Sequence, residues 1–287
     1  MMVEQKVLGF DLLWLSNIQS AFKTEGGLAH LRGLMGICTT LGFEVIIDTG
    51  FTPNWYGHRE LERELKHCRE TIDAVVKHFG KHPAFFGWYI PHEIYMTWGD
   101  FRAYIDQLYP ALVKRCKSVS DKPVTLSPFF ILDRDQIFGN FRYNEPDQYA
   151  DYWEGVIKRS GIDIIMLQDS GEHLSYVTNA QRRPFFEAMH QACTASGAKL
   201  WGNVEVAELL CKSPEKYVEL YGKIHHSQVK APPWRAVPIP RLIEKLTLAA
   251  EYSERIVCWG YQHFCRPGLG DGAVKWGKDY REYVDRF

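Results

Sequence analysis

The chain lacks the usual marks of membrane insertion, secretion and nucleotide handling. No apolar stretch approaches the roughly 20 residues of a membrane span, so no membrane partner is expected. Its opening, Met-Met-Val-Glu-Gln-Lys, has no charged-then-apolar leader design, and no Asn-x-Ser/Thr sequon occurs. Cytoplasmic is therefore the default expectation for location. With 34 Lys and Arg against 35 Asp and Glu, the formal net charge is −1 and no basic tail or stripe stands out. That balance argues against a nucleic-acid partner. Seven cysteines form an odd set with no tightly spaced pair, which reads as free buried thiols rather than disulfides or a zinc knuckle. There is no His-Glu-x-x-His, no Gly-x-Ser-x-Gly elbow and no phosphate loop. Gly268-Leu-Gly-Asp-Gly272 resembles a phosphate cradle but reads better as a surface turn. No cofactor or bound metal is expected.

What the chain does have is a large apolar content, 46% hydrophobic and 14% aromatic with nine tryptophans, arranged in alternating strand and helix signals. Strands are expected at residues 10–15, 43–48, 85–90, 124–130, 162–167, 199–206 and 255–261. Helices are expected at residues 28–41, 58–79, 100–119, 147–160, 183–196 and 240–252. Gly42, Gly80, Gly161 and Gly197 each follow a helix where a C-cap belongs. Repeated strand–helix units without a linker predict a single domain over residues 1–287, built on a parallel sheet with helices outside it. No glycine-rich turn follows the first strand, which counts against a dinucleotide fold. At 287 residues the expected fold is a TIM-type (β/α)8 barrel. Seven strands are one short of eight. Gln5-Lys-Val-Leu-Gly-Phe-Asp-Leu-Leu reads as the tail of a helix, a glycine and a strand, so the first βα unit is expected to be absent or truncated. An exposed sheet edge would then invite closure by a partner, and a homo-oligomer is one way to provide it.

Two segments share one design. Phe86-Gly-Trp-Tyr-Ile-Pro-His-Glu93 and Leu200-Trp-Gly-Asn-Val-Glu205 are apolar runs ending on a glutamate where strand gives way to loop. Such runs between helices read as buried parallel strands, and their carboxyl ends are where barrels build active sites. Two carboxylates from different strands suit acid/base work on a glycosidic bond: one protonates the leaving oxygen, the other attacks or positions water. A carboxyl separation of about 5 Å would mean retention of configuration and roughly 6.5–9.5 Å inversion. Around them, the strand ends offer Asp48, Trp55, His92, Tyr95, Gln168, Asp169, Asn203, Tyr261 and His263 as substrate contacts. Ser16, Ser170, Glu172, His173 and Glu208 lie nearby in sequence. Asp169 reads equally as an active carboxylate or a helix cap, and His92 as a sugar contact or a residue that orients Glu93. Of the aromatic faces a sugar groove needs, Trp55, Tyr56, Tyr95, Trp98, Trp201, Trp259 and Tyr261 are candidates. About half are expected in the core, with Trp88, Trp201 and Trp259 foremost because they lie within strands.

On these residues the chain resembles the clan of (β/α)8 glycoside hydrolases with catalytic glutamates on strands four and seven. It is more closely similar to an uncharacterised TIM-barrel domain family related to that clan. Gly87-Trp-Tyr-Ile-Pro-His-Glu93, Leu126-Ser-Pro-Phe-Phe130, Ile164-Ile-Met-Leu-Gln-Asp-Ser170 and Trp201-Gly-Asn-Val-Glu205 carry the likeness. The resemblance implies a retaining glycosidase with Glu93 as acid/base and Glu205 as nucleophile, and makes residues 10–15 the second strand. One departure is His92, where the clan commonly has asparagine. Two other classes stay open. Asp48, Glu93, Asp169, Glu205 and His263 could converge on a divalent cation in a sugar isomerase or epimerase, or the barrel could bind carbohydrate without cleaving it.

Overall fold

In the computed structural model of the protein, residues 2–169 and 174–286 are described. The chain divides into two compact units, one made of Met1–Ser127 with Gly155–Ile165, the other of Pro128–Glu154 with Met166–Phe287. In the first, α1 (Met2–Val7) precedes β1 (Leu12–Leu15), and α2 (Glu25–Leu41) leads to β2 (Glu44–Asp48). After the single turn of α3 (Trp55–His58) come α4 (Leu61–Phe79), β3 (Phe85–Ile90), α5 (Gly99–Val119) and β4 (Val124–Leu126). Two elements straddle the units, α6 (Pro146–Ser160) and β5 (Ile164–Gln168).

The opening α1–β1 step follows the pattern read from the sequence. Gly9 takes φ 87° between them, a conformation that suits glycine. β2 is parallel to β1 (Trp14 opposite Ile46) and to β3 (Asp48 opposite Tyr89), β3 to β4 (Ile90 opposite Leu126), and β4 to β5 (Leu126 opposite Ile165). Helix α4 is strongly charged, yet it turns Leu65, Cys68, Ile72, Val75 and Phe79 inward. Their three- and four-residue spacing is the stripe that buries a helix against a sheet.

In the second unit, α7 (Asn179–Ser196) begins with a capping box between Thr178 and Gln181 and ends at Gly197, φ 74°. It leads to β6 (Lys199–Asn203). β7 (Ala207–Leu209), α8 (Pro214–Tyr221), β8 (Trp234–Ala236), α9 (Ile239–Tyr252), β9 (Arg255–Val257) and α10 (Asp271–Val284) complete the chain. β6 is parallel to β9, with Asn203 opposite Val257, while β7 and β8 form a separate antiparallel pair. The main sheet runs β1-β2-β3-β4-β5-β6-β9. Seven strands in this order, helices between them, are a (β/α)8-type arrangement with one unit truncated.

Differences from the sequence reading have local causes. The strand expected over residues 124–130 stops at Leu126, two residues before Pro128, which has no N–H for a ladder. The strand expected over residues 255–261 stops at Val257, and a π-type turn spans Tyr261–Cys265. The loop around Pro232 and Pro233 holds β8, because β7 supplies a partner that periodicity over three residues cannot reveal. Gly80 caps α4 with a right-handed φ of −56° rather than the expected left-handed turn. All seven cysteines are free thiols, as expected. Among the described residues, no helix is long and apolar enough to cross a membrane.

Candidate functional site

In the first unit the candidate residues gather just past β2 and β3. Glu93 lies three residues beyond β3, half-buried. The hydroxyl of Tyr89, from the same strand, donates to Glu93 Oε1. Burial and the adjacent Glu93 carboxylate push the Tyr89 phenol well above its ordinary range, so it remains a donor. Trp14 packs edge-on against Tyr89 at 4.3 Å between ring centroids.

His92 has 0% exposure. Its Nε2 meets Glu64 Oε1 at 2.8 Å, its ring packs edge-on against Trp55 at 4.7 Å, and its carbonyl accepts from the Tyr109 hydroxyl at 2.5 Å. Glu64 also accepts from the Thr52 amide at 2.9 Å and from the Thr52 hydroxyl. Burial pushes the Glu64 carboxyl up, but the bonds from His92 and Thr52 outweigh it and hold the group below its usual value. For His92, burial outweighs the carboxylate and lowers the ring's pKa, favouring the neutral imidazole. A neutral ring donating Nε2–H to an ionised Glu64 satisfies both directions. His92 is thus enclosed by Glu64, Trp55 and Tyr109.

Asp48 ends β2 with no exposed surface. Its Oδ2 accepts from the Asn17 amide at 2.6 Å and the Ser16 hydroxyl at 3.2 Å. Burial still dominates and pushes its pKa up to about 6 from 3.8. Between those values the folded state holds a proton that the unfolded chain releases, so stability falls as pH rises from about 4 to 6. Asp48→Asn removes that penalty. The variant is expected to be more stable than wild type by about 1–3 kcal/mol at pH 7 and to lose the gain near pH 4, as read by urea unfolding. A shifted carboxyl at a strand end is also a candidate for substrate chemistry.

Among the described residues, one group of metal-type side chains lies close enough to share an ion: Glu64, Cys68 and His92, all buried. The Glu64 oxygens, His92 Nε2 and the Cys68 thiol are already committed to protein partners. Besides the Glu64 bonds above, the Cys68 thiol donates to the Gly50 carbonyl at 3.1 Å, where a metal-bound thiolate would instead face an oxygen lone pair. The five residues of the cation hypothesis are not this group.

In the second unit, Gln168, Asp169, Asn203 and Glu205 come together where β5 and β6 end. The Gln168 amide donates to the Pro128 carbonyl at 2.9 Å, and the Asp169 amide to the Asn203 carbonyl at 3.1 Å. Asp169 pairs with Lys245 at 2.9 Å. Burial lowers the pKa of that lysine further than Asp169 lifts it. Glu205 lies two residues past β6, 2% exposed. Glu208 is held by Arg235 at 2.7 Å and Arg241 at 2.8 Å, an ion-paired anchor for the β7–β8 pair.

Tyr261 is buried at the head of the π-type turn, and His263 within that turn is exposed, with its ring 6.5 Å from that of Trp259. The aromatic candidates divide much as expected. Trp55, Trp201 and Tyr261 are buried, Tyr95 and Trp98 half-buried, and Tyr56 and Trp259 exposed at 63% and 42%. Trp259, expected in the core with Trp88 and Trp201, is the exception, since its strand ends before reaching it. Ser170, Glu172 and His173 lie outside the described residues.

Sequence reasoning missed Tyr89, Glu64, Arg182 and Lys245. Lys245 had a signal. It stands on the apolar face of α9 with Leu242, Leu248 and Ala249, and a charge on such a face is rarely idle. Glu64 beside Leu65 and Cys68 on the buried side of α4 carried the same sign.

A seven-stranded parallel α/β fold with carboxylates past its strand ends belongs to the (β/α)8-type class, and solved structures bear that out. The chain matches a candidate alpha-L-fucosidase from Bacteroides thetaiotaomicron VPI-5482 with a TM-score of 0.75 at 19% identity, covering 99% of this chain and 84% of that one. It matches a family 1 β-glucosidase from Thermotoga maritima at 0.56 and 11% identity, over 99% and 86% of the two chains. An endoglucanase from Pseudomonas stutzeri follows at 0.55 and 12%, over 96% and 82%. At these identities the likeness is one of fold. No curated protein matches the sequence. Residues 15–269 match the domain of unknown function DUF4434, and the chain belongs to that family.

Proposed function

We propose that the protein is a glycoside hydrolase that retains anomeric configuration, with Glu93 as acid/base and Glu205 as nucleophile. The carrying observation is that each glutamate stands just past the carboxyl end of a parallel strand, β3 and β6, held by other buried groups. The fold shared with structures described as a β-glucosidase, an endoglucanase and a candidate fucosidase supports the same reading. Tyr89 is suited to hold the Glu93 carboxyl in place while it gives and regains a proton. Asp48, Trp55, Tyr95, Gln168, Asn203, Tyr261 and His263 are the proposed surroundings of the sugar.

Release of reducing sugar or aryl alcohol across a panel of aryl glycosides and glycans, with and without EDTA, tests this. Turnover by the wild-type protein that is indifferent to EDTA is expected. Turnover abolished by EDTA would move the case to a metal enzyme of the isomerase kind. Binding without turnover would favour a non-catalytic carbohydrate-binding barrel.

A further inference from the structure

Glu205 lies two residues past the end of β6. Its neighbours Val204 and Val206 donate to the carbonyls of Val257 at 2.9 Å and Trp259 at 3.1 Å. In a parallel ladder, alternate residues direct their main-chain groups to opposite sides. The Glu205 amide and carbonyl therefore face the β5 side, past Gln168 where that strand ends. Two side chains meet them there. Asp169 Oδ1 accepts from the Glu205 amide at 3.4 Å, and Lys245 Nζ donates to the Glu205 carbonyl at 2.6 Å.

Lys245 and Asp169 also pair with each other at 2.9 Å, which closes a ring around one residue. Exposure is 5% for Lys245, 1% for Asp169 and 2% for Glu205. The ring is itself anchored: buried Arg182 donates from Nε to the Asp169 carbonyl and from Nη1 to the Val177 carbonyl, both at 2.9 Å.

A lysine this deep is costly to desolvate, and an apolar residue would usually serve packing as well or better. Its ammonium is aimed at a main-chain oxygen of the one residue whose carboxylate must be placed to within a fraction of an ångström. We propose that Lys245 is a positioning residue for the nucleophile: with Asp169 it clamps both main-chain groups of Glu205 and so fixes where the carboxylate can reach. The proposal rests on the reading of Glu205 as nucleophile.

Lys245→Met keeps the length of the side chain and removes the clamp. Steady-state kinetics of the wild type, Lys245→Met, Asp169→Asn and Glu205→Gln on the best aryl glycoside of the panel test it, with melting curves to confirm folding at the assay temperature. A tenfold to hundredfold loss of kcat with KM within about threefold is expected for Lys245→Met, the size of effect that follows a small misplacement of a reacting group. A smaller loss of the same kind is expected for Asp169→Asn, which serves alone if Lys245→Met does not fold. Variants that melt at lower temperature but keep wild-type kcat would overturn the proposal, leaving the ion pair as a purely stabilising one. In that case wild-type activity and a dead Glu205→Gln would still stand, and the hydrolase reading with them. A wild type as inactive as Glu205→Gln across the panel would overturn the hydrolase reading, and the positioning role would fall with it.

Discussion

Glu205→Gln is expected to lower kcat/KM on aryl glycosides by about 10⁴-fold or more, because losing a nucleophile costs more than the roughly 10²–10⁴-fold that general acid/base catalysis contributes. The amide is nearly the same shape as the carboxylate, so folding is expected to survive. The loss should not depend on the leaving group, because a missing nucleophile blocks the reaction before any glycosyl group is captured. Glu93→Gln should behave differently. A poor leaving alcohol needs the proton that Glu93 supplies, whereas a nitrophenolate departs without one. Its loss should therefore be large on alkyl glycosides and much smaller in the first, glycosyl-transferring step on nitrophenyl ones, as read by burst kinetics. Equal behaviour of the two variants across leaving groups would contradict the division of roles.

Glu64→Ala carries the largest expected cost in stability. The side chain is buried and accepts from His92 Nε2, the Thr52 amide and the Thr52 hydroxyl. Its removal leaves three buried donors without an acceptor and opens a cavity beneath α4. Breaking a buried, hydrogen-bonded pair from one side typically costs about 3–5 kcal/mol. Urea unfolding should show a loss of that order, and catalysis should suffer as well, since His92 immediately precedes Glu93. A loss under about 1 kcal/mol would mean that water replaces the carboxylate freely and that the network does not hold the strand end.

How much of this was legible follows from residue type. The parallel strands could be read because Val45-Ile-Ile-Asp48 and Ile164-Ile-Met-Leu167 are uninterrupted apolar runs between amphipathic helices, a pattern that depends only on local sequence. Left-handed caps at Gly42 and Gly197 were equally local. Glu93 and Glu205 could be picked out because each ends such a run. The roles of their supporting groups could not, even where a charge on an apolar helix face marked Glu64 and Lys245, because Tyr89, Glu64, Arg182 and Lys245 act through partners distant in sequence or alternate in a strand otherwise read as core. Lys245 lies 40 residues from Glu205, and Glu64 lies 28 from His92. The short β7–β8 pair escaped for the same reason: three residues are too few for a period, and the pairing is fixed by register across a loop containing Pro232 and Pro233.

The most direct test of the central claim is intact-protein mass spectrometry during reaction with the 2-deoxy-2-fluoro analogue of whichever aryl glycoside is turned over. Fluorine at carbon 2 destabilises the positive charge that develops when the glycosyl–enzyme bond breaks, so a covalent intermediate accumulates. The account predicts a mass gain of one fluoroglycosyl group, mapped by proteolysis to Glu205 and absent from Glu205→Gln. An adduct on another carboxylate, or inversion of configuration in the product with no adduct formed, would contradict it.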